Sequence, residues 1–100
     1  MILVYVTCRD RAEAERIADN LLKKRLVACA NFFPIESMYW WNGKITGDNE
    51  HVLLCKTLEE KYDSVRSEVK KTHSYEIPCV LKISAEADQE YLKWVGGEVK

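Results

Sequence analysis

The period of the hydrophobic positions changes along this chain, and each change marks an expected element boundary. Ile2 to Thr7 (ILVYVT) is β-branched and aromatic on both alternating faces, the pattern of a central strand covered on each side. Asp10 followed by Glu13 resembles a capping box. Ala14, Ile17, Ala18, Leu21 and Leu22 then recur at i, i+3, i+4, i+7 and i+8, which predicts a helix over 11–25. From Val27 the helical period is lost. VACANFFPIESMYWW runs extended to Asn42-Gly43, a dipeptide favoured in two-residue hairpin turns because both residues tolerate positive φ, and KITGDNEHVLLCKT returns. Both arms are far longer than the usual strand of about five or six residues, so the hairpin tip is expected to overhang the domain. Pro34 and Gly47 are expected to mark bulges or bends in the arms.

Thr57 and Glu60 form a second T-x-x-E pattern, after which Leu58, Tyr62, Val65 and Val69 repeat along one helical face, predicting a helix that ends near Lys70 or Lys71. Ile77, Cys79, Leu81 and Ile83 alternate with residues ending in Lys82 and Ser84, the pattern of a strand with one side buried. Asp88 is placed to cap a short helix carrying Tyr91, Leu92 and Val95, with Gly96-Gly97 expected to end it. The order β-α-β-β-α-β plus a C-terminal helix predicts an α+β fold. It matches a ferredoxin-like split βαβ sandwich with a long hairpin between its second and third strands and both crossover helices on one face of a four-stranded antiparallel sheet.

That arrangement leaves the other sheet face bare. Leu3, Tyr5, Phe32 and Phe33 supply more apolar surface than two helices on one side can cover, and Tyr39, Trp40 and Trp41 sit at the hairpin tip. Fully burying one large apolar side chain is worth about 1.5–3 kcal/mol, so several left wet mark an interface. A homo-oligomer sealed by sheet faces and by arms reaching a neighbour resolves both problems. The aromatic tip also has the chemistry of a stacking surface, but the charge balance counts against nucleic acid. Fifteen basic and sixteen acidic residues give a formal charge of -1, and no net positive field attracts a phosphate backbone or an anionic membrane.

At 100 residues, 47% hydrophobic, with four Gly and two Pro, the chain reads as one compact domain with short loops. Met1 to Val6 is too short for the apolar core of a signal peptide and no stretch approaches membrane-spanning length, so a cytoplasmic location is expected. Cys8, Cys29, Cys55 and Cys79 show no CxxC spacing and are expected to be reduced, mostly buried thiols with no disulfide.

The chemistry concentrates in HSYEIPCV, residues 73–80, which packs an imidazole, a phenol, a carboxylate and a thiol into one helix-to-strand junction. His73 is a metal-ligand candidate and equally a residue suited to a helix C-terminus. Cys79 offers a soft thiolate for Cu(I) or Zn(II), although its alternating apolar run favours burial. Glu76 is placed to pair with a cation such as Lys56, and Lys56, before a helix N-terminus, suits a bound anion or a pairing with Glu50 or Glu76. An acylphosphatase-like reading, with Arg9 or Arg11 cradling phosphate and Asn31 positioning water, lacks the glycines such a loop needs, since none occurs between Met1 and Phe33.

These segments resemble the CutA divalent-cation tolerance family. The residues that carry the resemblance are VYVT, RLVACANFFPIESMYWWNGKI, Glu50, LLCKT, HSYEIP and YLKW, in that order. The resemblance implies a protomer similar in shape to PII-type signalling proteins, a homotrimer with hairpins extending onto adjacent subunits, and cytoplasmic tolerance to copper and other divalent metals without an established enzymatic activity. By position it implies roles for Cys29, for His73, Tyr75 and Glu76, and for Lys56 and Thr57. Ser74 stands where the motif has proline and Cys79 where it has glutamate. Val6 and Thr72 replace a cysteine and a second histidine found in some members, and Cys8 inherits no role. The candidate ligands of copper or another divalent ion are therefore His73, Cys79, Glu76 and Cys29. Lys56, Tyr75 and Glu50 are candidates for a small anionic metabolite between subunits, and Tyr39, Trp40, Trp41 and Phe33 for the interface.

Overall fold

The structure is a computed structural model that describes residues 1–100. Strand β1 (Ile2–Cys8) leads to helix α1 (Arg11–Lys23), then β2 (Cys29–Trp41) and β3 (Lys44–Thr57). A 3-10 turn (Glu59–Lys61) precedes α2 (Tyr62–Thr72), β4 (Val80–Ser84) and α3 (Gln89–Glu98). The strands form one antiparallel sheet ordered β2-β3-β1-β4, which is the expected ferredoxin-like arrangement with β1 in the interior. Val4, Val6, Leu53 and Cys55 rise from one sheet face and meet Ala14, Ile17 and Leu21 of α1 and Val65 and Val69 of α2 in a dry core. Asp10 caps α1 as its sequence suggests, its carboxylate accepting the Glu13 N–H at 2.9 Å.

The hairpin turns on Asn42 at φ 51° and Gly43 at φ 76°, the two positive values a two-residue turn requires. From Cys29 opposite Lys56 to Trp41 opposite Lys44 the register advances one residue per rung without a slip, so the bulges expected at Pro34 and Gly47 are absent. β2 is an edge strand, where a residue lacking an N–H is tolerated. The ribbon gives the molecule principal extents of 45 × 24 × 21 Å, the overhang anticipated from the arm lengths.

Four further expectations need correction. Thr57 does not cap a helix: it is the buried last residue of β3, its hydroxyl donates to the Leu26 carbonyl at 2.7 Å, and α2 starts only at Tyr62 without a side-chain cap. Strand β4 begins at Val80, after Pro78, and its register places Val80 and Lys82 opposite Val6 and Val4 on the helix side. The alternation read as a buried side therefore faces away from the helices, and Leu81 and Ile83 are 50% and 41% exposed. Phe32 lies on the helix side, partly buried, with the Arg11 guanidinium 5.8 Å from its ring centre. Helix α3 continues through Gly96-Gly97 to Glu98, because Val95 and Val99 on either side of the pair are both buried and hold the last turn down. Its start is as expected, with Asp88 accepting the Glu90 N–H.

Candidate functional site

The junction after α2 is fixed by main-chain groups. His73 ends the helix, its N–H donating to the Val69 carbonyl at 2.9 Å. Its imidazole is fully buried, and Nδ1 accepts the Tyr75 N–H at 3.0 Å. Nε2 therefore carries the ring proton and donates to the Thr7 carbonyl at 2.8 Å. Beside it, Glu13 is 1% exposed and accepts the N–H groups of Arg9 at 2.9 Å and of Ser74 at 3.0 Å. Burial alone would raise the Glu13 carboxyl, but the Arg9 and Ser74 donors outweigh it and hold the group below its ordinary range.

Cys8, Glu13 and His73 place their donor atoms within 4.8 Å of one another, the metal-ligand geometry of this chain that sequence reasoning missed. Every one of these groups is already committed, however. Both imidazole nitrogens and both Glu13 oxygens hold hydrogen bonds, and burial, reinforced by the Glu13 and Glu50 charges, pushes the Cys8 thiol up to about 12. As it stands the trio is a clasp joining the end of β1, the start of α1 and the 73–75 loop. Glu13 was visible in the sequence only as a capping-box residue; in the fold it reaches past Asp10 to Arg9 and across to Ser74.

The clasp aims Tyr75 over the open face of the sheet. Its hydroxyl donates to Glu50 at 2.6 Å, and Glu50 is only 7% exposed. Around this pair runs a groove of about 630 Å³ whose floor includes Tyr5 and Thr7 of β1, and whose wall under the ribbon includes Tyr39 and Trp41. Glu76, Ile77 and Cys79 form its remaining rim. Burial raises the Cys79 thiol and the Tyr75 phenol, and the Glu50 carboxylate pushes both further up, so each stays protonated near neutrality.

Of the sequence-derived candidates, Tyr75, Glu50, Glu76 and Cys79 share this groove, and His73 lies behind it across the Thr7 carbonyl. Cys29 and Lys56 do not join them. They face each other across β2 and β3 at the far end of the ribbon, and Lys56 is six residues from Glu50, about 20 Å along the strand. The Lys56 ammonium sits 5.4 Å over the Tyr91 ring and forms no ion pair with Glu50 or Glu76. Phe33, Tyr39 and Trp41 share the open side of β2, whereas Trp40 points the other way and is 71% exposed. Arg11 and Asn31 lie on opposite sides of the sheet, so an Arg11–Asn31 phosphate-cradling pair does not converge.

A family model described as CutA1 divalent ion tolerance protein matches residues 2–98. The chain belongs to this family. Among its CutA relatives, the divalent-cation tolerance protein CutA of Archaeoglobus fulgidus is 46% identical over 98 residues, covering 97% of this chain and 96% of that one. The crystal structure of CutA1 from Pyrococcus horikoshii superposes with a TM-score of 0.96 at 38% identity, covering 100% of this chain and 99% of that one. A PII-like protein CutA from Nostoc sp. PCC 7120, solved in apo form, gives a TM-score of 0.93 at 27% identity over 100% of this chain and 98% of that one. The CutA fold is thus shared along the whole chain, ribbon included.

Proposed function

We propose that this chain assembles as a homotrimer that binds copper or another divalent cation in clefts between subunits, and that it serves tolerance of or response to such ions without catalysing a reaction. The observation that carries this reading is the groove on the uncovered sheet face, where Glu50, Glu76 and Cys79 gather with no basic side chain in the lining. The names of the relatives, divalent-cation tolerance proteins, support it. The exposed Phe33, Ile77, Leu81 and Ile83 on or beside the same face support assembly, because covering them removes their apolar surface from water. In the trimer His73, Cys79 and Glu76 are the ligands from one subunit, and Cys29, remote within its own protomer, serves from across the boundary. Capture by His73 requires its Nε2 to leave the Thr7 carbonyl. Light scattering should give a mass three times that of the 11.6 kDa chain, and calorimetric titration of the reduced protein should show copper or zinc uptake that His73→Ala and Cys79→Ala abolish. A stable single copy at micromolar concentration overturns the assembly, and uptake unaltered by both replacements overturns the ligand set.

A second reading, a PII-like sensor of a small metabolite, draws on the Nostoc relative's name and on a groove of metabolite size. The groove's charge does not favour the anion such a sensor would need, since Glu50 and Glu76 repel one and Lys56 is out of reach. For location we propose the cytoplasm, supported by four free thiols. The Archaeoglobus structure is described as that of a periplasmic protein, and fractionation of cells producing this chain decides between the two.

A further inference from the structure

We infer that the groove on the open sheet face is a binding site for a small organic cation, an alkylammonium or guanidinium compound seated between Glu50 and the surrounding aromatic rings. The inference rests on the cation reading of this groove and not on metal uptake.

Glu50 is the first reason. It is more than nine-tenths buried, it lines the groove, the one protein hydrogen bond to its carboxylate comes from the Tyr75 phenol, and it forms no ion pair. Tyr75 satisfies one carboxylate oxygen, and because no buried side-chain oxygen of the chain lacks a partner, the other keeps contact with solvent, where a cation can reach it. Glu13, the other buried carboxylate, shows the contrast: it has two backbone N–H groups and the Arg16 guanidinium.

The lining is the second. Tyr5, Tyr39, Trp41 and Tyr75 border the groove, and ring faces attract cations through their quadrupole. The cation–π contacts this chain makes for itself use other rings, namely Arg11 on Phe32, Lys56 on Tyr91 and Lys82 on Tyr62. The groove's four rings are left without a cation.

Size and donor type select the class. An oxygen-seeking dication such as Ca²⁺ or Mg²⁺, unlike copper or zinc, wants roughly six to eight oxygen ligands in a tight shell, whereas this groove holds about 630 Å³ and is walled largely by carbon. An ammonium or guanidinium with an organic body uses both halves of that surface, the charge on Glu50 and the body against the rings.

The test uses the full chain in its native assembly, treated with EDTA, and titrates choline against its neutral carbon isostere 3,3-dimethylbutan-1-ol by calorimetry and tryptophan fluorescence. Choline should saturate and bind at least roughly tenfold more tightly than the isostere, since one buried charge contact plus ring contacts is worth on the order of one such step. Glu50→Gln keeps the shape and should weaken choline by about tenfold with unchanged mass and circular dichroism. Glu76→Gln, an exposed rim position, should weaken it by about two- to fivefold and serves if the first variant does not fold. Equal binding of choline and isostere, no saturation by choline, or indifference to both variants overturns the inference. A neighbouring subunit's lysine or arginine already filling the groove produces the second of those outcomes. Copper and zinc titration of the same preparation separates the two readings: metal uptake without choline binding sinks this inference alone, and choline binding without metal uptake sinks the metal reading alone.

Discussion

On the face of the sheet covered by α1 and α2, Val4, Val6, Leu53 and Cys55 are completely buried, whereas on the opposite face Leu81 and Ile83 keep 50% and 41% of their surface in water. The same strands supply both faces through their alternation, so the difference lies in what covers them. The helix face is closed within one chain and carries the stability of the protomer. The open face carries the aromatic and acidic groove, and its exposed apolar residues, Leu81 and Ile83 among them, contribute little until something covers them. Fold and function are thus divided between two sides of four strands.

The comparison breaks most directly at Leu53. Leu53→Ala removes a fully buried side chain from the closed face and should lower unfolding free energy by about 3 kcal/mol in guanidinium melts. A loss below about 1 kcal/mol would mean that the closed face does not carry the fold. Next in size is Glu13→Ala, which removes the buried acceptor of the part-buried hydrogen bonds from the Arg9 and Ser74 N–H groups and should cost about 1–3 kcal/mol. Its pH signature has a definite sign. Because the folded carboxyl is held below its ordinary value of 4.5, its stabilisation is present above that pH and is lost as pH falls through the folded value. Glu13→Gln should therefore flatten the acid limb of stability followed by circular dichroism, and an unchanged limb would remove Glu13 from the clasp.

Smaller effects sharpen the picture. Gly43→Ala forces a side chain into φ 76° and should cost about 1 kcal/mol, while Gly47→Ala, whose added carbon would meet only the Ser37 carbonyl at 3.9 Å, should change stability by less than about 0.5 kcal/mol. Leu81→Ala is the smallest in thermal or chemical melts of the isolated protomer, below about 0.5 kcal/mol. Leu81→Asp on the same position should nevertheless reduce the assembled mass toward 11.6 kDa with unchanged circular dichroism. Retention of the full mass would show that copies do not meet on this face.

Most of the architecture was legible because its signals are local. The periodicity of α1, the Asn42-Gly43 turn and the arm lengths each depend on neighbouring residues alone, and they set the element order and the overhang. What failed was tertiary. Alternation in β4 shows that two sides differ but not which one meets the helices, and register with β1 settles that against Leu81 and Ile83. Gly96-Gly97 reads as a helix stop until Val99 is seen buried beyond it. The site divided in the same way. Tyr75, Glu76 and Cys79 are close in sequence and fall in one groove, and Glu50 joins them only through Tyr75. Glu13 hid because its partners, Arg9 and Ser74, are set by the packing of α1 against the loop after α2.

The unbroken ladder of the ribbon makes its length a matter of parity. Deleting one rung, a residue from each arm, would turn Tyr39 and Trp41 to the far side and bring Trp40 round to the groove. Only paired steps of two residues per arm, about 7 Å each, lengthen or shorten the ribbon while keeping the same rings over the same floor. Natural variation in ribbon length is therefore expected to come in even increments.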